Sequence, residues 1–305
     1  MAERVPLFHI DEHMTEFFTR LFSAALFSVL LISPAAAEPE TVFFASADGT
    51  TELVGYLFRP PQPGPHPAVV MLHGRAGPYS SNVNAACTLV ARSASSPCNA
   101  SGLSKRHMMW GEYWAARGYV ALLPDSFGPR GKAHGFGRNT HDDPAREDVN
   151  EKTVRPLDAE GALSYLRGSK TINPSRIFLQ GWSNGGSTAL NVMFRQGQRR
   201  GPGYRAALVF YPGCGEQALL GPTLATSTPV TLFLASDDEE VSPVICAHVA
   251  GRSREAGTPI DVVTYQGATH DFDEPSQSRQ TVPGNRDAMA DALQRAIAIV
   301  EAVRP

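Results

Sequence analysis

Arg176-Ile177-Phe178-Leu179-Gln180-Gly181-Trp182-Ser183-Asn184-Gly185-Gly186-Ser187-Thr188-Ala189-Leu190-Asn191-Val192 decides the fold. Its first five residues, with Ile177-Phe178-Leu179 apolar at the centre, read as a strand. Its last seven read as a helix. Between them lies Gly-x-Ser-x-Gly, Gly181 to Gly185. In a strand–turn–helix setting this pattern is a nucleophile elbow, a sharp turn that lifts a serine hydroxyl above the edge of a sheet. Side chains at Gly181 and Gly185 would collide with the neighbouring strand and helix. The helix N-terminus following Ser183 directs positive potential toward developing negative charge.

The same alternation extends in both directions. Val42–Ala45 and Leu53–Phe58 read as strands, with a hairpin around Asp48-Gly49. Ala68–Leu72, Tyr119–Leu123, Arg176–Gln180, Ala206–Phe210, Val230–Ala235 and Ile260–Thr264 are further strands. Continuous apolar runs such as AVVML at 68–72 suit strands buried on both faces. Helical patterns occupy about 105–117, 151–167, 183–195 and 284–303, and His248 also lies in one. The class expected is α/β, a mostly parallel sheet of about eight strands with helices on both faces. One domain over 38–305 is expected, with no repeat or interdomain linker.

The chain has 305 residues, a formal net charge of −3 and 42% hydrophobic residues. The near-neutral balance gives no electrostatic reason to expect nucleic acid as a partner. Leu21–Ile32 is a short apolar run after Arg20, followed by Ser33-Pro34-Ala35-Ala36-Ala37. This reads as a secretory signal over 1–37, cleaved after Ala37, and the expected location is secreted or periplasmic. The run is shorter than the ~20 apolar residues of a membrane-spanning helix, so no stable insertion is expected after cleavage. An uncleaved anchor is the alternative. Glu3, Asp11 and Glu12 are foreign to a signal, which leaves Met14 open as the start. In an oxidising compartment the four cysteines suggest disulfides, with Cys87–Cys98 and Cys214–Cys246 the favoured pairing. Cysteine and histidine spacings give no zinc pattern, so neither a metal nor a cofactor is expected.

A serine nucleophile needs a base. His270, in Gly267-Ala268-Thr269-His270-Asp271-Phe272, follows the last strand, where the order serine, acid, histidine places it. The acid belongs after Val230–Ala235, where Ser236-Asp237-Asp238-Glu239-Glu240 offers four carboxylates. Asp238 fits best because the apolar Val241 follows three residues later; Asp237 is the alternative, and the other acids read as a solvated face. Oxyanion donors are expected from the main-chain N–H groups of Asn184 and Arg75, the latter in the loop His73-Gly74-Arg75. His73 reads as a brace for that loop rather than a second base. The segments 74–118 and 125–150 should wall the site, with Arg75, Trp182, Phe127, Tyr79 and Phe272 as candidate lining residues.

Five segments together resemble the dienelactone hydrolase family: Leu72-His73-Gly74, Pro124-Asp125-Ser126-Phe127-Gly128-Pro129-Arg130-Gly131, Gly181–Gly186, Phe210-Tyr211-Pro212-Gly213-Cys214 and Tyr265–Phe272. The resemblance covers about 50–300. It implies an α/β-hydrolase fold and a triad at Ser183, Asp238 and His270. The founding members use a cysteine nucleophile and a glutamate near the oxyanion loop, where this chain has Ser183 and His73-Gly74-Arg75. The expected activity is therefore hydrolysis of small or short-chain carboxylic esters through an acyl-enzyme, with a small-molecule ester as partner. A peptidase or amidase on the same triad and a non-catalytic binding protein on the same scaffold are the alternatives.

Overall fold

The computed structural model describes Met1 and residues 38–303. The expected signal segment lies outside the described residues, and all elements below belong to the unit Ala36–Pro305. Eight strands form one sheet: β1 (Glu40–Ala45), β2 (Glu52–Phe58), β3 (His66–Leu72), β4 (Val120–Asp125), β5 (Ile172–Trp182), β6 (Ala207–Phe210), β7 (Val230–Ala235) and β8 (Ile260–Tyr265). Their spatial order is β1-β2-β4-β3-β5-β6-β7-β8. β1 pairs antiparallel with β2, and β2 with β4; every later pairing is parallel.

The helices are α1 (Ser81–Asn84), α2 (Lys105–Ala115), α3 (Arg155–Arg167), α4 (Asn184–Gly197), α5 (Pro243–Glu255), α6 (Gln277–Gln280) and α7 (Pro283–Ala302). The strands alternate their side chains between two cores. Ala68, Val70 and Leu72 pack with α3, α4 and α5 on one face. Val69 and Met71 pack with Trp110 and Trp114 of α2 and with Ala288, Ala292 and Ala296 of α7 on the other. This two-sided burial is why the central strands read as unbroken apolar runs. The helix expected over 151–167 begins only at Arg155. Pro156 has no N–H to donate into a preceding turn, so it is accommodated in the first turn of α3 and not in its interior.

Two disulfides tie loops to this frame. Cys87 bonds Cys98 within the segment between β3 and α2. Cys214 bonds Cys246, joining the loop after β6 to α5 across a separation of 32 residues. Closing a loop of that length removes about 3–4 kcal/mol of unfolded-chain entropy. The double variant Cys214→Ser/Cys246→Ser is therefore expected to lose about 2–4 kcal/mol in urea-induced unfolding relative to wild type.

Candidate active site

The loops at the carboxyl ends of β3, β5, β7 and β8 meet on one edge of the sheet, the position where open parallel sheets hold their ligands. Ser183 sits between β5 and α4 with φ 51° and ψ −118°. Positive φ is strained for a residue with a Cβ, and it is held here by the packing on either side. A Cβ on Gly181 would lie 2.3 Å from the Gly185 oxygen, and one on Gly185 would lie 2.0 Å from the Leu72 oxygen. Both glycines are thus fixed by the close approach of the elbow to the first turn of α4 and to β3.

His270 is buried after β8, and its Nδ1 lies 3.0 and 2.9 Å from the two carboxylate oxygens of Asp238. Asp238 Oδ1 also accepts the main-chain N–H groups of Glu240 and Val241, each at 2.9 Å. The turn that Val241 closes is what aims this carboxylate inward. Asp237 is exposed, accepts a hydrogen bond from the Ser236 hydroxyl and makes none to His270 among the described residues. Burial alone would push the His270 pKa down. The Asp238 hydrogen bond and the charges of Asp271, Asp238 and Glu240 outweigh it and raise the imidazole above its ordinary 6.5.

Glu240 departs from the solvated face expected of it, and Glu239, though exposed, is engaged by the site. Glu239 accepts the main-chain N–H of His270 at 2.9 Å and pairs with Arg279 at 3.0 Å. Glu240 takes a bidentate pair of bonds from Arg75, at 3.0 and 2.9 Å. Arg138 adds a contact at 2.7 Å, and Glu240 Oε2 lies 3.8 Å from His270 Nε2. Four adjacent acids carry no periodicity that would separate these roles in the sequence; the partners come from loops far away along the chain.

The loop after β3 follows the expected brace. His73 is fully buried, its Nε2 accepts the Ser126 N–H at 3.3 Å, and its Nδ1 lies 2.8 Å from the Gly74 oxygen. Burial and the nearby Arg155 charge hold its pKa well below 6.5, so it is neutral. Arg155, with no motif to mark it in the sequence, is the buried tie between the two sides of the elbow. It donates to the His73 oxygen at 2.7 Å and to Asn184 Oδ1. Burial, only partly offset by Asp158 and Glu151, lowers its pKa to about 10, so it remains a cation at neutral pH. Asn184 opens α4, where its N–H has no acceptor within the helix.

Trp182, Phe127 and Phe272, candidate lining residues from the sequence, do not line the clefts at Ser183. Each is at most 1% exposed. Phe127 packs its ring 4.6 Å from the His73 ring and 5.1 Å from the Arg155 guanidinium. Trp182 donates its indole N–H to the buried Asp273, which also accepts from Trp110 and the Tyr211 hydroxyl. Tyr211 in turn lies 4.7 Å from the His270 ring. These aromatic residues support the site from beneath, because their partners, His73 and Arg155 for Phe127, Asp273 for Trp182 and Tyr211 for Phe272, lie on the buried side of the strand ends. Arg75 and Tyr79 do line a cleft at Ser183.

Two clefts of about 180 Å³ each open onto Ser183. One is walled by Arg138, His141 and Arg146, the other by Tyr79, Arg106, His270 and Asp271. The segments 74–118 and 125–150 supply part of these walls, as expected; the loops after β7 and β8 add to them through Glu239, Glu240, His270 and Asp271. The only group among the described residues with ligand atoms close enough for a metal is Glu240, His270 and Asp271. Arginines already neutralise both carboxylates: Arg75 and Arg138 on Glu240, and Arg106 at 2.7 Å on Asp271.

The family model of the dienelactone hydrolase family matches residues 99–303, from the loop before α2 through α7. The chain belongs to the dienelactone hydrolase family, a family of carboxylic-ester hydrolases. The match starts after the His73-Gly74-Arg75 loop, so the resemblance at Leu72-His73-Gly74 rests on those residues alone. A dienelactone hydrolase-like promiscuous phosphotriesterase from metagenomic libraries superposes with a TM-score of 0.64 at 18% identity, covering 88% of this chain and 99% of its own. A thermophilic esterase from the planctomycete Thermogutta terrifontis, solved with propionate bound, superposes with a TM-score of 0.57 at 18% identity, covering 88% of this chain and 95% of its own. At these identities the likeness establishes a shared fold.

Two outcomes follow from this geometry. A general base must be neutral to take a proton, so an activity that uses His270 as its base is expected to fall as pH drops through the raised pKa. The acid limb of kcat/KM is expected to have its midpoint above the ordinary 6.5, and Glu240→Gln, which removes one of the nearby negative charges, is expected to move that midpoint to lower pH. Arg155→Met strands the His73 oxygen and Asn184 Oδ1, each at about 1–3 kcal/mol, and is expected to show that loss in urea unfolding together with a reduced kcat.

Proposed function

We propose that the protein is a serine hydrolase that cleaves small carboxylic esters through an acyl-enzyme, with Ser183 as nucleophile, His270 as general base and acid, and Asp238 as the group that orients and balances the imidazole. One observation carries the reading: a serine held at positive φ shares a cleft with a histidine whose Nδ1 is bound by a buried carboxylate.

His270 Nε2 takes the Ser183 proton as Oγ bonds to the ester carbonyl carbon. The carbonyl oxygen becomes an oxyanion, held by the main-chain N–H groups of Arg75 and Asn184. The carbon–oxygen bond to the alcohol then breaks, and His270 gives its proton to the departing alcohol. Water attacks the acyl-enzyme, His270 takes the water's proton, and Ser183 Oγ recovers a proton from it as the carboxylic acid leaves. Asp238 keeps the Nδ1–H tautomer and stabilises the imidazolium formed in each half. The chain's own residues supply every proton transfer.

The two disulfides support an oxidising location, secreted or periplasmic, in keeping with the signal read at 1–37. No helix among the described residues is long and apolar enough to cross a membrane.

The test is hydrolysis of p-nitrophenyl acetate, butyrate and octanoate by the mature chain, beside the matching p-nitroanilides. Esters are expected to be cleaved with the short acyl groups favoured and the anilides far more slowly; a reversed order would favour the peptidase reading. Ser183→Ala is expected to lose at least about a thousandfold in kcat/KM, because the triad acts as a unit. A solved form of the Thermogutta terrifontis esterase is phosphorylated by paraoxon. Labelling of Ser183 by the same compound, read by mass spectrometry, is the direct assay for the nucleophile; a fully unlabelled Ser183 would support the binding-protein alternative.

A further inference from the structure

Ser183, Arg75 and Glu240 are common to both clefts, whereas His270 lines only one and Arg146 only the other. Arg75 comes from the loop after β3 and Glu240 from the loop after β7, 165 residues apart in sequence. Their bidentate pair therefore spans the site from one loop to the other beside the nucleophile. The bar is braced at both ends. Arg75 Nη1 donates to the Phe136 oxygen at 3.0 Å, and Arg138 Nε contacts Glu240 Oε1 at 2.7 Å. The Glu240 side chain is only 9% exposed. A planar guanidinium–carboxylate fork is the geometry in which such a pair is most rigid.

We propose that the Arg75–Glu240 pair is a specificity bar that divides the space above Ser183 into two small chambers and restricts the ester to small groups on both sides of the scissile bond. This rests on the serine-hydrolase reading and assigns its substrate class. The departing alcohol must reach His270 Nε2 to be protonated, so the chamber containing His270 takes the alcohol. The chamber walled by Arg138, His141 and Arg146 takes the acyl group. Each is about 180 Å³, below the ~300–1,000 Å³ of sites that enclose drug-sized ligands. A longer acyl chain has to part the bar, and parting it breaks both Arg75 hydrogen bonds to a nearly buried carboxylate that Arg138 alone then holds, an energetic cost that an acetyl group does not meet.

The experiment compares kcat/KM for p-nitrophenyl octanoate and acetate within each protein: wild type, Glu240→Ala, Glu240→Asp and Glu240→Gln. Using the ratio cancels any change in the His270 pKa, because both substrates share that base. Glu240→Ala opens the bar and is expected to raise the octanoate-to-acetate ratio by about tenfold or more, through a lower KM for octanoate, since each accommodated methylene is worth a severalfold gain. Glu240→Asp withdraws the carboxylate from Arg75 and is expected to move the ratio in the same direction by less. Glu240→Gln keeps the length and a hydrogen bond to Arg75 and is expected to stay near wild type. A ratio unchanged in both Glu240→Ala and Glu240→Asp, in protein whose Ser183 is labelled by paraoxon, overturns the bar while leaving the serine-hydrolase reading intact. Wild type that neither labels nor hydrolyses acetate overturns both.

Discussion

The carbonyl oxygens of Leu72 and His73 lie 2.0 and 2.5 Å from where a Cβ on Gly185 would stand. That contact presses the first turn of α4 against the end of β3, and much of the site follows from it. The helix starts close enough to the sheet edge that Ser183 has to turn through positive φ to join β5 to α4. The same approach brings Asn184, the first residue of the helix, beside the loop that carries Arg75. Arg155 then bonds the His73 oxygen and Asn184 Oδ1 together, so the strained turn is held by a buried cation as well as by packing. A less tight elbow would leave the proposed nucleophile in an ordinary turn with nothing to fix its direction.

Around this elbow the charges form a layered arrangement rather than a single pair. Asp238 holds the Nδ1 side of His270, Glu239 holds its main-chain N–H, and Glu240 stands 3.8 Å from Nε2. Asp271, also beside the imidazole, is brought to a pKa of about 2: burial would raise it, and the charges of Arg106, His270 and Arg279 overcome that. Four carboxylates near one imidazole are tolerable because arginines from other loops neutralise three of them: Arg75 and Arg138 on Glu240, Arg279 on Glu239, Arg106 on Asp271. What remains favours positive charge on His270, which suits a group that has to become an imidazolium during each half of the proposed reaction.

Beneath the imidazole lies a second buried centre. Asp273 accepts from Trp110, Trp182 and Tyr211, and an Arg106 nitrogen lies 3.4 Å away. These donors come from α2, β5 and the loop after β6, so one carboxylate pins three separate parts of the chain at the floor of the site. The buried aromatic cluster around Phe210, with Trp182, Phe233 and Phe272 at 6.0, 4.6 and 6.1 Å between ring centroids, packs over the same floor.

The sequence by itself determined the strands and the larger helices, because two-sided burial leaves continuous apolar runs and helical periodicity is local. It located the elbow, since the glycine spacing reports a steric requirement within five residues. It also placed His270 and favoured Asp238, because their positions follow from strand order and from a turn closed by Val241. The start of α3 was legible only in Pro156, whose missing N–H overrides the periodicity before it. Only the tertiary structure decided the roles of Glu239, Glu240, Arg155 and Asp273, and turned Trp182, Phe127 and Phe272 away from the cleft. Their partners are tens to more than a hundred residues distant, and the direction of a side chain at a strand end is set by which loop arrives above it. Burial and charge pairing of that kind are properties of the assembled loops, and no local pattern in the chain encodes them.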